Sequence, residues 1–204
     1  MRYDEPDDGL RRLESWAGEV RVNWFRLVAI LFFYGNHLVN YYWGSSGAPV
    51  SADYHSAVTL ITILWGISVL FLHQMLSQRW YPPALKYLVT AWDLVLITAI
   101  VCLTREARTT LVVLYFLVIA AAPLRLSLAL VYGATLGSIC GFLFFLAYIR
   151  FWLEIPADQR LSRVEQMIIV SALGGAGLLA GQAIRQITRL LRGYPVTMAE
   201  PEET

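Results

Sequence analysis

Residues 109–149 read TTLVVLYFLVIAAAPLRLSLALVYGATLGSICGFLFFLAYI, and this stretch decides the fold. It holds 41 residues and one charged side chain, Arg125. A straight helix of that length would measure about 61 Å, twice the hydrocarbon core that about 20 helical residues cross. The chain must fold back, and Pro123 to Ser127 is the only segment with the residues of a turn. We predict a short span over 109–123 and a longer one over 127–149.

Four more apolar runs lie outside this stretch, and short polar links join them. The predicted spans cover residues 22–42, 54–77, 84–104, 109–123, 127–149 and 164–192. Hydrophobic residues make up 57% of the 204 residues and charged residues 15%, against roughly 25% charged in soluble domains. The pattern predicts an all-α polytopic membrane protein, a bundle of six transmembrane helices over residues 22–192.

Residues 1–21 precede the first span, and we expect them to form a cytoplasmic segment with an amphipathic helix. An apolar stripe recurs at spacings of three and four, at Leu10, Leu13, Ala17, Val20 and Trp24. The other face carries Arg11, Arg12, Glu14, Glu19 and Arg21. Such a helix lies at the lipid headgroups or makes a short coiled-coil contact with a copy or a partner. At the other end, residues 193–204 are expected to be a disordered cytoplasmic tail.

The basic residues are distributed unequally between the two sides of the predicted bundle. Eleven Lys and Arg fall on the side of the N-terminus and five on the opposite side. The positive-inside rule therefore places both termini in the cytoplasm, with the chain in a bacterial cytoplasmic membrane. The net charge of +1 and the position of these residues between spans exclude a nucleic-acid-binding face. The bilayer is the expected partner, together with a second copy or the other subunits of a membrane complex.

One carboxylate lies near the middle of a predicted span. Asp93 is about 13 Å from the start of the third span, where an ionisable group costs several kcal/mol unless it is neutral, paired or hydrated. Arg26, His73 and Arg125 belong to the same cytoplasmic half of the bundle. The four side chains are therefore candidates for a buried polar cluster, acting either as a structural tie or as a proton relay or signal switch.

Two histidines are predicted on the outer side. His37 ends the first span and His55 begins the second, so the two imidazoles can face each other. Neutral imidazole is a common ligand for metals and for haem iron. Since paired haems stacked in a bundle need four histidines, only one bis-histidine haem b or metal site is open to this chain. Hydrogen-bonded interfacial histidines are the alternative.

Small residues form stripes in the last two spans. They are Gly133, Gly137 and Gly141 in the fifth, and Gly174, Gly177 and Gly181 in the sixth. Such stripes allow helix backbones to approach closely in lipid, either within one bundle or between subunits. The sequence contains no Gly-rich phosphate loop, His-Glu-x-x-His pair or Ser-centred elbow, so we expect a protein that is not an enzyme and has no required cofactor.

Three local patterns carry a resemblance to a known class of protein. They are RVNWFR at 21–26, AWDLVLIT at 91–98 and LYFLVIAAAPLRLS at 114–127. With six spans and cytoplasmic ends, residues 20–192 resemble the membrane-sensor input modules of bacterial histidine kinases and nucleotide or diguanylate cyclases. The resemblance implies a bundle, often dimeric, whose last helix passes a conformational signal into the cytoplasm through residues 182–192.

The sequence departs from such proteins by ending at Thr204 without an output domain. We therefore expect the output to be another polypeptide, the chain to be a detached anchor, or the likeness to be one of architecture alone. The leading hypothesis is a non-enzymatic sensor, anchor or accessory subunit that works through helix packing and partner contacts. The alternatives are a haem- or metal-binding redox subunit using His37 and His55, and a small transporter with Asp93 as its proton or cation site.

Overall fold

A computed structural model of the chain describes residues 5–43, 51–78, 82, 84–104, 110–156 and 160–193. The described residues are helical and contain no strand, which confirms the predicted all-α class. Of the predicted tail, residues 193–204, Gly193 is the last residue of a helix, and residues 194–204 lie outside the described residues. The helices are α1 (Glu5–Trp43), α2 (Ala52–Ser77), α3 (Leu85–Leu103), α4 (Val113–Ala121), α5 (Leu128–Phe151) and α6 (Arg163–Gly193). Two 3₁₀ segments, Thr110–Val112 and Ala122–Arg125, flank α4.

Four of these helices are long and apolar enough to cross a membrane. They are α2, α3, α5 and α6, and the segment Thr110–Arg125 is equally apolar but shorter. Their outward faces carry large apolar side chains, as on α2, where Leu60, Leu70 and Phe71 are each about two-thirds exposed. Apolar surface on this scale is typical of contact with lipid rather than water. The helices are therefore compatible with a multi-pass membrane protein.

The first helix is continuous over 39 residues, about 58 Å, and has no break between residues 21 and 22. The sequence predicted an amphipathic helix within residues 1–21 and a first span from residue 22, and one continuous helix covers both from Glu5 onward. No proline lies between Ala17 and the apolar run, and Gly18, a residue type that often ends helices, is helical here. The predicted stripe is only partly described. Ala17 and Val20 are half-buried and Trp24 is exposed, while the side chains of Leu10, Arg11, Arg12, Leu13 and Glu14 lie outside the description.

The chain reverses direction where the predicted turn lies. Ala122–Arg125 forms a 3₁₀ turn with Pro123 at its start, where a proline fits because its missing N–H has no partner to lose. Leu126 then adopts a left-handed conformation, with φ 48°, and its N–H donates to the Pro123 carbonyl at 2.9 Å. Ser127 is extended, and α5 begins at Leu128. The turn brings the side chain of Arg125 into the bundle, where it is 4% exposed.

The core lies where α3, α4, α5 and α6 meet. Its largest fully buried side chains include Tyr115 of α4, Phe142 and Phe145 of α5, and Leu173 of α6. The sixth helix starts with a reciprocal cap in which Ser162 Oγ accepts from the Glu165 N–H and the Glu165 carboxylate accepts from the Ser162 N–H. Against this four-helix core, α1 packs along α2 and touches the Ala122–Arg125 turn.

Candidate functional site

A buried carboxylate joins the first three helices. Asp93 of α3 is 7% exposed. Its Oδ1 accepts two hydrogen bonds from Arg26 of α1, one from Nε at 3.0 Å and one from Nη2. It also accepts one from Nε1 of Trp65, on α2, at 2.9 Å. The structure thus brings Arg26 and Asp93 together as an ion pair. Buried charges persist only when they are paired and hydrogen-bonded, and this carboxylate has both kinds of partner.

A second ion pair lies close to the first. Arg125 Nη2 is 3.0 Å from Glu19 Oε2, and its Nη1 donates to the Lys86 carbonyl at 3.0 Å and to Thr90 Oγ1. Glu19 is fully buried, which corrects its predicted place on the polar face of an amphipathic helix. The reason is that α1 turns this side chain toward Arg125, a cation near enough to pair with it. The second cluster therefore ties α1 to α3 and to the turn.

The two pairs form one polar network because their residues share helix faces. Glu19 and Arg26 are seven residues apart on α1, two turns along one face, and Thr90 and Asp93 are one turn apart on α3. Asn23 lies between the α1 members and donates to the Val69 carbonyl of α2 at 3.2 Å. Two arginines balance two carboxylates, so the network as a whole is electrically neutral.

His73, the remaining member of the predicted cluster, does not join this network. It is exposed on α2, whereas the buried face of that helix carries Trp65, Val69, Leu72 and Met75. Since His73 directly follows Leu72, its side chain is turned about 100° away from that face. The α2 residue that does reach Asp93 is Trp65, whose indole N–H is a donor that pairs with a buried carboxylate.

The two outer histidines are brought together. His37 Nε2 lies 3.1 Å from His55 Nδ1, and the rings are nearly parallel with centroids 5.2 Å apart. Tyr41 stacks on His55 with its ring centroid at 3.9 Å. A bis-histidine haem needs the two nitrogens on opposite faces of its iron, about 4 Å apart at a bond length near 2 Å each. The direct hydrogen bond and the stacked tyrosine leave no slot for a porphyrin, so these residues do not fit that group.

A cavity of about 370 Å³ extends from the polar network to His37. Arg26, Trp65, Asp93 and Arg125 line one end of it, and the opposite end is polar as well. The residues at that opposite end are Tyr34, Asn36, His37, Asn40 and Tyr54. The walls between the ends are mainly apolar and come from α1, α2, α3 and the α4 segment. The cavity exists because α1 packs on α2 and on the turn but leaves a gap toward α4.

The glycines of α5 have different surroundings. A Cβ added at Gly137 would lie 2.5 Å from Leu94 Cδ1, and one at Gly141 would lie 2.9 Å from the Tyr115 ring. At Gly133 it would meet no atom of the described chain within 4 Å. Two members of the predicted stripe are therefore in close contact with α3 and α4, whereas Gly133 leaves open space beside its helix.

The α6 stripe divides in the same way. A Cβ at Gly177 would overlap the side chain of Thr135 on α5, and one at Gly181 would lie 3.3 Å from the Tyr132 hydroxyl. Around Gly174, no atom of the described residues falls within 4 Å of such a Cβ. The α5–α6 contact thus uses Gly177 and Gly181. Gly18 lies outside the predicted stripes, yet α1 meets the backbone of the turn there, at Leu124.

Comparison with family models, curated proteins and solved structures finds no match to this chain.

Proposed function

We propose that the protein is a six-helix integral membrane protein with both termini in the cytoplasm of a bacterial cell, and that it acts without enzymatic chemistry as a sensor, anchor or accessory subunit. Four spans support the membrane assignment directly. The apolar half of α1 and the segment Thr110–Arg125 supply the other two, and the excess of basic residues on the side of the termini supports the orientation.

The observation that carries the proposal is the polar network beside the cavity. Arg26 and Asp93 line the cavity, and Glu19 holds the same helix to Arg125, which also lines it. A change in the shape or contents of the cavity would act on both ion pairs. Because both pairs include a residue of α1, that change would reach the cytoplasmic end of this continuous helix. Such a link between a membrane cavity and a cytoplasmic helix end is what a sensor or regulatory subunit requires.

The cytoplasmic end of α6 offers a surface for a partner. Arg185 and Arg189 are exposed there, and Arg185 Nη2 donates to the Tyr132 hydroxyl at 3.1 Å, which holds it against α5. Ile187 and Leu190 are exposed beside them, 42% and 66%. A mixed basic and apolar surface at the end of a span suits contact with a second copy or a separate effector.

Site-specific photo-crosslinking in cells tests the proposal. A photoreactive amino acid at Arg189 should yield a protein adduct, whereas the same amino acid at Leu179, exposed in the middle of the span, should react with lipid. Mass spectrometry then identifies the adduct as a second copy or another polypeptide. Equal adduct yields at the two positions would contradict partner contact through α6. Reporter fusions at both termini check the orientation, and a periplasmic terminus would overturn that part of the proposal.

The geometry favours this function over transport. Asp93 is already bound by Arg26 and Trp65, so a transporter that used it would have to break this pair in every cycle. Breaking a buried pair costs about 3–5 kcal/mol.

A further inference from the structure

Two histidines join α1 to α2 at the end of the cavity away from the ion pairs. His37 Nε2 and His55 Nδ1 are 3.1 Å apart, and the planes of the two rings differ by 16°. The ring centroids are 5.2 Å apart, which is close to the nitrogen distance plus the two ring radii. The two nitrogens therefore point at each other in nearly one plane, and the contact is an N–H···N hydrogen bond.

Such a bond needs one nitrogen that carries a proton and one that does not. Each imidazole has two ring nitrogens, and the neutral ring carries a proton on one of them. The pair can take up one extra proton on a nitrogen that faces away from the bond, and the bond stays intact. A second extra proton would place N–H groups on both facing nitrogens, where two positive charges in contact repel each other. The bonded pair thus holds one proton fewer than the separated pair.

The surroundings of the pair do not offset that repulsion. The rings in contact with the pair belong to tyrosines, which are uncharged in acid, namely Tyr34, Tyr41 and Tyr42 of α1 and Tyr54 of α2. Asp53 is exposed and lies two positions before His55 on α2, and positions so spaced on a helix do not face each other. In the described lining from α3 and the α4 segment, the charged side chains are Asp93 and Arg125, at the opposite end of the cavity.

The rest of α1 is held by other contacts. Arg26 pairs with Asp93 near the opposite end of the cavity. Asn23, one turn before it, donates to the Val69 carbonyl of α2. Separation of the histidines would therefore move the end of α1 that carries His37 while the network end stays in place. Since His37 lines the cavity, this movement widens the cavity at that end.

We propose that His37 and His55 form an acid-operated catch, in which protonation of both imidazoles separates the ends of α1 and α2 and opens the cavity. The inference deepens the proposed function by naming its signal, acid on the side of the membrane where α1 ends, and it rests on that function for the membrane location. The open form holds one more proton than the closed form, so acid favours opening. The ratio of open to closed protein should rise up to tenfold for each unit by which the pH falls.

Pulsed electron paramagnetic resonance measures this separation. Spin labels are attached at Val39→Cys and Leu60→Cys, where the native side chains are 52% and 68% exposed, in the full chain with its two cysteines replaced by alanine. The protein is titrated in phospholipid nanodiscs from about pH 8 to about pH 4, a range that brackets the ordinary histidine value of about 6.5. The distance should lengthen by about 3 Å, the width of a water molecule that enters between the rings. Labels at Val28→Cys and Phe71→Cys, near the polar network, should keep their distance.

His37→Gln is the decisive variant. Its amide can donate to a neutral His55 or accept from a protonated one, so the catch should stay closed across the titration. His55→Asn places an amide near the position of Nδ1 and provides the same test if the first variant does not fold. His73→Gln, at an exposed position of α2, is the matched control and should open as the native chain does.

Two results would overturn the proposal. One is a label distance in the native chain that does not change down to about pH 4, more than two units below the ordinary histidine value. The other is an equal lengthening in the native chain and in His37→Gln, which would assign the acid response to other groups such as Asp93. The measurement needs no partner protein, so it succeeds or fails separately from the crosslinking at Arg189.

Discussion

Gly18 lies where α1 comes closest to the turn between α4 and α5. A Cβ at this position would be 2.5 Å from the Leu124 carbonyl oxygen, whereas ordinary contact begins at 3.4 Å. Gly18→Ala must therefore move α1 and the turn apart by about 0.9 Å, because the opposing atom belongs to the backbone and cannot rotate away. The same movement would lengthen the neighbouring Glu19–Arg125 ion pair, which is 3.0 Å between Oε2 and Nη2, by a similar amount.

The size of the effect follows from these two contributions. Overpacking a close contact costs about 1–3 kcal/mol. Lengthening the buried ion pair adds to this cost, because the attraction between two charges falls with their separation while the cost of burying them stays. We expect Gly18→Ala to lose about 2–3 kcal/mol of folding free energy, and the midpoint of thermal unfolding shifts by roughly 2–4 °C per kcal/mol in a chain of this size. The midpoint should therefore fall by at least about 4 °C.

Gly35→Ala is the matched control for this change. It makes the same substitution in the same helix, at a position where an added Cβ meets no described atom within 4 Å. The control should stay within about 1 kcal/mol of the native chain, with helix propensity favouring alanine. Both variants are unfolded in the same detergent at one scan rate, with tryptophan fluorescence as the signal. If their midpoints agree within 2 °C, the close approach at Gly18 does not hold the turn and the reasoning is refuted.

Three further changes test other parts of the structure by the same measurement. Asp93→Asn leaves Arg26 buried without its counter-charge and should lower the free energy of unfolding by about 3–5 kcal/mol. The double variant Arg26→Met with Asp93→Leu should regain most of that loss. A double variant no more stable than Asp93→Asn would contradict this expectation. Gly177→Ala should lower the unfolding midpoint because its Cβ overlaps a neighbouring side chain, and Gly174→Ala should not; equal shifts would refute the packing contact. Ser162→Ala should lower the free energy of unfolding by about 1 kcal/mol because it removes the α6 cap. Ser162→Asp keeps an acceptor at the cap and should lose less stability. Equal losses for the two variants would contradict the cap.

The helical class and the reversal at Pro123 follow from the sequence because both depend on local properties. Apolar run length sets where a helix can cross a bilayer, and a proline followed by a short polar segment marks where it cannot continue. The structure has its 3₁₀ turn at Ala122–Arg125, inside the segment identified from the sequence. The continuity of α1 through residue 21 does not follow from the sequence pattern, because a change in composition does not say whether a helix ends there.

The partners within the polar network are less accessible to sequence reasoning. Arg26 and Asp93 were grouped by their depth in the bundle, and depth alone also grouped His73 with them, although that residue lies on another face of α2. Glu19 looked like a surface residue because its partner Arg125 is distant in the chain. Trp65 was missed because an indole in an apolar run carries no signal for a hydrogen bond. These contacts depend on helix rotation and packing, which hydropathy does not specify.

The polar face of α1 also bears on how such a chain would be assembled during synthesis. Its Asn23 is bonded to a residue 46 positions later and its Arg26 to one 67 positions later. When α1 leaves the ribosome, neither partner has been made. An unpaired arginine within a span disfavours insertion by about 2.5–3.5 kcal/mol. As the first span of the proposed six-helix bundle, α1 would therefore wait at the translocon or the membrane surface until α2 and α3 arrive, and the three helices would insert as one unit.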